Sequence, residues 1–165
     1  MDENLILDEN SPELINLFMG DIVYQAVETQ WYEKLQIDGN NQFRFLHIIN
    51  QESYDFLSEE QNNSFFKYIN AIQTDRLKMD KDGFAILNLA NHKGISWKNI
   101  NSMLSPKICI FWGVNPYHFG FETGKYNILK RNEISMIYID EMTTVMQNPA
   151  LKSNLWALTK QLFDF

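Results

Sequence analysis

Few residues in this chain are able to do chemistry, and the densest group follows one apolar run. Lys107-Ile-Cys-Ile-Phe-Trp112 leads directly into Gly113-Val-Asn-Pro-Tyr-His118. A loop that leaves the end of a strand is where an open α/β sheet holds a ligand, so Asn115, Tyr117 and His118 form a candidate ligand loop. An amide cannot take up a proton as a general base, which removes Asn115 from acid–base roles. The same residues also suit a plain loop corner, with asparagine and proline turning the chain and Tyr117 and Phe119 packed beneath it. The three histidines, His47, His92 and His118, are far apart, and with Cys109 as the single cysteine no spacing fits zinc. Asn91-His92-Lys93-Gly94 follows another apolar run and belongs at the same sheet edge as Gly113, but it lacks the glycines and the Lys-Ser/Thr of a phosphate loop. Glu59-Glu60 and Asp140-Glu141 flank expected helix starts, where carboxylates suit the helix dipole. No pair of carboxylates is marked out for acid–base work. No catalytic residue, metal site or cofactor is expected.

Association is the other chemistry the residues allow. Aromatic residues make up 14% of the chain, with twelve Phe and four Trp, which favours a well-packed core or an adhesive face. Charge is unevenly spread: residues 1–40 hold nine acids and one base, a net of −8, while the remaining 125 residues carry +1. A total of −7 argues against general binding to a phosphate backbone, so no direct DNA contact is expected. Ser11-Pro12-Glu13 opens a helix, serine as cap and proline in the first turn. Ile15, Phe18, Ile22 and Ala26 follow at helical spacing, with Trp31 beyond them. Acidic residues around such a stripe suit docking to a basic, grooved protein surface; packing on the chain's own sheet is the competing reading. Ile15, Phe18, Ile22 and Trp31 are therefore candidate partner contacts.

These residues must be positioned by elements that the pattern also predicts. Phe43–Ile49, Phe84–Leu89, Lys107–Trp112 and Ile134–Ile139 read as apolar strands, with Tyr126–Lys130 as a further short one. Ser58-Glu59-Glu60-Gln61 is a capping box before a helix with Phe65, Phe66, Ile69 and Ile72 on one face. Ser96 caps a short helix through Met103. Asn148-Pro149 starts the last helix, whose stripe is Leu151, Leu155, Leu158 and Leu162. Trp156 lies one step off that stripe and suits either the core or an interface. Trp112, inside a strand, reads as core, as does Cys109.

Strands alternating with helices imply one three-layer α/β domain over residues 41–165. Its mainly parallel sheet of four to five strands has helices on both faces. The alternation breaks between Gly113 and Asn132, which suggests an antiparallel or edge strand. Residues 1–40 form a separate acidic segment, partly helical. No run approaches eighteen apolar residues, so no membrane span is expected. The start Met-Asp-Glu-Asn has no apolar signal core, and a cytoplasmic location is the natural expectation.

The last helix carries a resemblance. Asn148-Pro149 followed by Leu155-Trp156 resembles the C-terminal element of the psi subunit of bacterial DNA polymerase III, an accessory protein of the clamp loader. Gln30-Trp31, the strand Phe43–Ile49 with the helix after Leu57, and the strand Phe84–Leu89 resemble further parts of that family. The resemblance implies a non-enzymatic α/β adaptor. Its N-terminal peptide would dock on the clamp-loader collar, the tau/gamma-type subunit, and its body could meet a chi-type subunit. The Gly113–Gly124 loop and the strongly acidic N-terminal segment depart from that pattern.

A shorter resemblance competes with it. Gly113-Val-Asn-Pro-Tyr-His118 is similar to the Gly-Gln-Asp-Pro-Tyr-His motif of uracil-DNA glycosylases, with Asn115 where that family has its aspartate. The His-Pro-Ser-Pro segment of those enzymes has no counterpart, since no proline follows any histidine here. That resemblance implies a catalytically degenerate protein binding a nucleobase near Gly113–His118. An open polar pocket at the Gly113–Gly120 loop favours this second reading; a loop filled by side chains favours the adaptor.

Overall fold

Three strands, Phe45–Ile49 (β2), Phe84–Asn88 (β3) and Ile108–Trp112 (β4), are almost wholly apolar and almost wholly buried. Side chains alternate between the two sides of a strand, so a run apolar throughout must be covered on both sides, as central parallel strands are. The computed structural model describes residues 35–52, 68 and 82–163, and these build one α/β domain. Its sheet has six strands. The other three are Ile37–Asp38 (β1), Ile128–Arg131 (β5) and Ile134–Ile139 (β6), and the order across the sheet is β1-β3-β2-β4-β6-β5.

The inner four strands are parallel, with Phe45 opposite both Phe84 and Ile108, and Cys109 opposite Met136. Both edges are antiparallel: β1 pairs with β3, and β5 with β6. The sheet is thus mixed and six-stranded, which corrects the expectation of a mainly parallel sheet of four to five strands. Two small features account for the difference. β1 is two residues long and has no periodicity to read; it also places the start of the sheet ahead of residue 41. The β5–β6 hairpin turns through Asn132 and Glu133, both at positive φ (49° and 65°). A two-residue loop of this kind matches the twist of a hairpin, but Glu is not one of its sequence signals.

Each face of the sheet has its own layer. Phe45, Ile49, Ile110, Trp112, Ile137 and Ile139 form one core with Leu155, on the helix Pro149–Leu162. Asn148 caps that helix, its Oδ1 accepting from the N–H groups of Ala150 and Leu151 at 3.0 and 3.3 Å. Leu155 is fully buried, and Leu151, Leu158 and Leu162 pack beside it. Leu46, Ile48, Leu87, Cys109, Phe111 and Met136 form the opposite core with Ile100, on the helix Trp97–Leu104. Trp97–Leu104 is α1 here, Met142–Gln147 is α2 and Pro149–Leu162 is α3. Ser96 caps α1, accepting from the N–H of Asn99.

His47 is the one histidine inside a strand, and it is completely buried. The indole N–H of Trp112 donates to its Nδ1 at 3.2 Å, which leaves the ring proton on Nε2. Removal from water pushes its pKa down to about 3, so the ring is neutral in the fold. Burial likewise pushes the Cys109 thiol up, and the cysteine is a packed apolar group rather than a nucleophile.

Candidate functional site

The strand order reverses at β2: the chain goes first to β3 on one side of it, then to β4 on the other. Loops leaving such neighbouring strands part in opposite directions and leave a crevice at the carboxyl ends. Here that crevice is a cleft of about 760 Å³, within the size range of small-ligand sites. Asn50 and Glu52 follow β2, His92 and Lys93 follow β3, Ser96 precedes α1, and Asn115 and His118 follow β4; all of them line it.

The loops are held by side chain–backbone bonds. Asn88, the last residue of β3, grips Gln51 twice: its Oδ1 accepts from the Gln51 N–H at 3.1 Å, and its Nδ2 donates to the Gln51 carbonyl at 2.8 Å. The same Oδ1 accepts from the Ala90 N–H, capping the short 3-10 turn Leu89–Asn91. His92 is buried, and its Nε2 donates to the carbonyl of Gln36 at 3.1 Å. The Asn88 bonds tie the loops after β2 and β3 together, and the His92 bond ties the second of these loops to the segment ahead of β1.

The loop after β4 also lines the cleft. Gly113 has φ +66°, and a Cβ there would overlap the Glu141 side chain and lie 3.3 Å from the Glu141 Cα. Only glycine lets the chain turn this close to the start of α2. Asn115 Oδ1 accepts from the Tyr117 N–H at 3.0 Å and caps the 3-10 turn Pro116–Phe119. Below the turn, Pro116 and Phe121 are buried, and Phe119 lies against Phe111 and Trp97 (ring centroids 5.9 and 6.3 Å). The loop is therefore filled beneath and open above.

This arrangement can hold a polar ligand, and it displays one carboxylate (Glu52), one ammonium (Lys93) and one exposed imidazole (His118) along the cleft. Asn115 has its oxygen committed to the backbone, which leaves its amide N–H groups for a ligand. Among the described residues no three His, Cys, Asp or Glu side chains gather in a way that could hold a metal ion. No helix among them is long and apolar enough to cross a membrane.

The structure brings Asn115 and His118 to the cleft, together with the His92 loop. Tyr117 is 64% exposed and is not part of the lining; it does not pack beneath the turn, a place taken by Phe119. Asp140 and Glu141 directly precede the helix Met142–Gln147, as expected, and Asp140 also binds the ammonium of Lys125 and accepts from the Tyr126 hydroxyl at 3.0 Å. The hydrogen bond from Lys125 holds the Asp140 carboxyl below its usual range. Trp156 is half-buried, with the Lys160 ammonium 5.6 Å over its ring. Ile15, Phe18, Ile22 and Trp31 lie outside the described residues, as does the helix expected after Ser58 apart from residue 68. Sequence reasoning missed Asn88 and Glu52. An asparagine at a strand end was the available signal for Asn88; Glu52 had none. No protein-family model matches the chain, and no curated protein matches it either.

Proposed function

We propose that the chain is a non-enzymatic adaptor of the replicative DNA polymerase III clamp loader, resembling the psi subunit and acting through protein–protein contacts. One observation carries this reading. The Asn148-Pro149 cap starts a helix that buries Leu155 in the core and leaves Trp156 half-buried beside it. A tryptophan held by a rigid helix and only partly covered is a residue of the kind that anchors interfaces. The proposed partner is the collar of the tau/gamma-type subunit, met by Ile15, Phe18, Ile22 and Trp31, with a chi-type subunit as a second contact for the body.

Binding of the full chain to the purified collar domain, followed by calorimetry, tests this. Saturable binding is the expected result. Phe18→Ala combined with Trp31→Ala should weaken it by about 1–4 kcal/mol, as the loss of aromatic anchors does. Absence of binding by the unaltered chain rejects the reading.

The cleft of about 760 Å³ beside Asn115 supports a second reading, a degenerate nucleobase-binding protein of glycosylase-like fold. Release of uracil from single- or double-stranded DNA above a buffer control, abolished by Asn115→Ala, would promote it over the adaptor. Nucleobase binding without release fits the degenerate form.

A further inference from the structure

At the opposite edge, where the parallel strands begin, a second recess of about 510 Å³ opens between α1 and the β5–β6 hairpin. Three cations, Arg44, Lys107 and Arg131, share its lining with three aromatic rings, Trp97, Phe119 and Phe121. Fixed backbone presents the cations. The Arg44 carbonyl accepts from the N–H groups of Lys107 and Ile108 at 2.7 and 3.2 Å, so Arg44 is pinned to the start of β4. Arg131 ends β5, donates from Nη1 to the Gly120 carbonyl at 3.3 Å and lies 5.6 Å over the Phe121 ring. Trp97 meets Phe121 edge-on, with centroids 4.9 Å apart, and makes an apolar wall beside the charges.

Little in the recess balances this charge. Glu133 is the single carboxylate of the lining. Among the described residues, no carboxylate forms a salt bridge with any of the three cations. The C-terminus of α1 brings about half a negative charge. Its final carbonyls are already bonded, however, by the Ser105 N–H to Asn101 and by Asn41 Nδ2 to Leu104. On a chain of net charge −7, a recess of three cations with no carboxylate partner among the described residues, beside an aromatic wall, runs against the bulk composition.

We propose that this recess binds an acidic peptide segment of a partner protein, its carboxylates on Arg44, Lys107 and Arg131 and an adjoining apolar side chain against Trp97 and Phe119. A peptide fits better than single-stranded nucleic acid for two reasons. The rings pack edge-on against one another inside the wall, whereas base stacking needs open ring faces. Three cations confined to one recess also fall short of the extended basic track that a phosphate backbone needs. The inference does not depend on the clamp-loader reading.

Fluorescence anisotropy with the full chain tests it. The probes are a fluorescein-labelled peptide, Asp-Glu-Asp-Leu-Asp-Phe, a lysine counterpart with the acids replaced, and labelled oligothymidylate. The acidic peptide should bind saturably and more weakly as salt rises, and the lysine peptide should not bind. Arg44→Glu with Lys107→Glu should weaken binding about tenfold or more, because two cations facing carboxylates are reversed. Lys107→Gln, at an exposed position, should give a smaller loss with an unchanged melting temperature, which separates binding from folding. No saturable binding, equal affinity in both variants, or tighter binding of oligothymidylate than of the peptide would overturn the proposal.

Discussion

Where β2, β3 and β4 end, three polar side chains are engaged with backbone groups. Asn88 holds Gln51 and Ala90, His92 holds Gln36, and Asn115 caps its own turn. Where those strands begin, Arg44 and Lys107 are joined through backbone groups alone, and both residues line the recess. A polar residue near a cleft is not thereby a ligand-binding residue. At the first edge the asparagines build the cleft; at the second, the Arg44 and Lys107 side chains are left over once the fold is made, while Arg131 also holds the Gly120 carbonyl. Substitutions at the first edge should therefore cost stability, and those at the second should cost only binding.

Asn88→Ala sharpens this contrast most. It removes three hydrogen bonds, each worth about 0.5–1.5 kcal/mol net, so unfolding in urea should show a loss of about 2–4 kcal/mol. A loss within error of zero would show that the loops after β2 and β3 hold without it. Gly113→Ala comes next, since a left-handed non-glycine residue crowded by Glu141 costs about 1–3 kcal/mol. If it melts like the unaltered chain, the turn into the cleft is not fixed as described.

His47 lies between the two edges, and acid acts on it from the core. Its folded pKa is about 3 against an ordinary 6.5, so below pH 6.5 the unfolded chain binds a proton that the folded chain refuses. The stability tied to its neutral ring is complete above pH 6.5. It falls by about 1.4 kcal/mol per pH unit as the pH drops toward the folded value. His47→Gln keeps an acceptor for Trp112 and removes the titration, so its stability should decline less steeply between pH 6.5 and 4.5. An unchanged slope would assign the acid loss to carboxylates such as Asp140, whose lowered pKa also gives stability present at neutral pH and lost on acidification. The smallest effect is expected at the second edge: Arg44→Ala and Lys107→Ala should leave the melting temperature where it was. A clear drop in either variant would make those cations structural and erase the contrast.

Much of the frame was legible from local pattern. Ser96 before α1 and Asn148-Pro149 before α3 are caps with a mechanism in their own side chains, and both are observed. The strand Ile134–Ile139 and the core strands at Phe45, Phe84 and Ile108 follow from near-continuous apolar runs, because a strand covered on both faces buries side chains on both. The leucine stripe of α3 follows from the helical repeat.

What those signals lack is any record of which strand lies beside which. The pairing of β1 with β3, the antiparallel hairpin turned by Asn132 and Glu133, and the reversal at β2 that opens the cleft depend on contacts between residues distant in the chain. So does the gathering of Arg44, Lys107 and Arg131 around one recess. Local sequence was enough for the longer strands and the capped helices, through side-chain periodicity and capping chemistry acting over a few residues. Tertiary structure alone decided which polar groups meet, because a hydrogen bond or a recess is set by distance in space, and backbone bonds such as those from Lys107 and Ile108 to Arg44 fix that distance only once the sheet has formed.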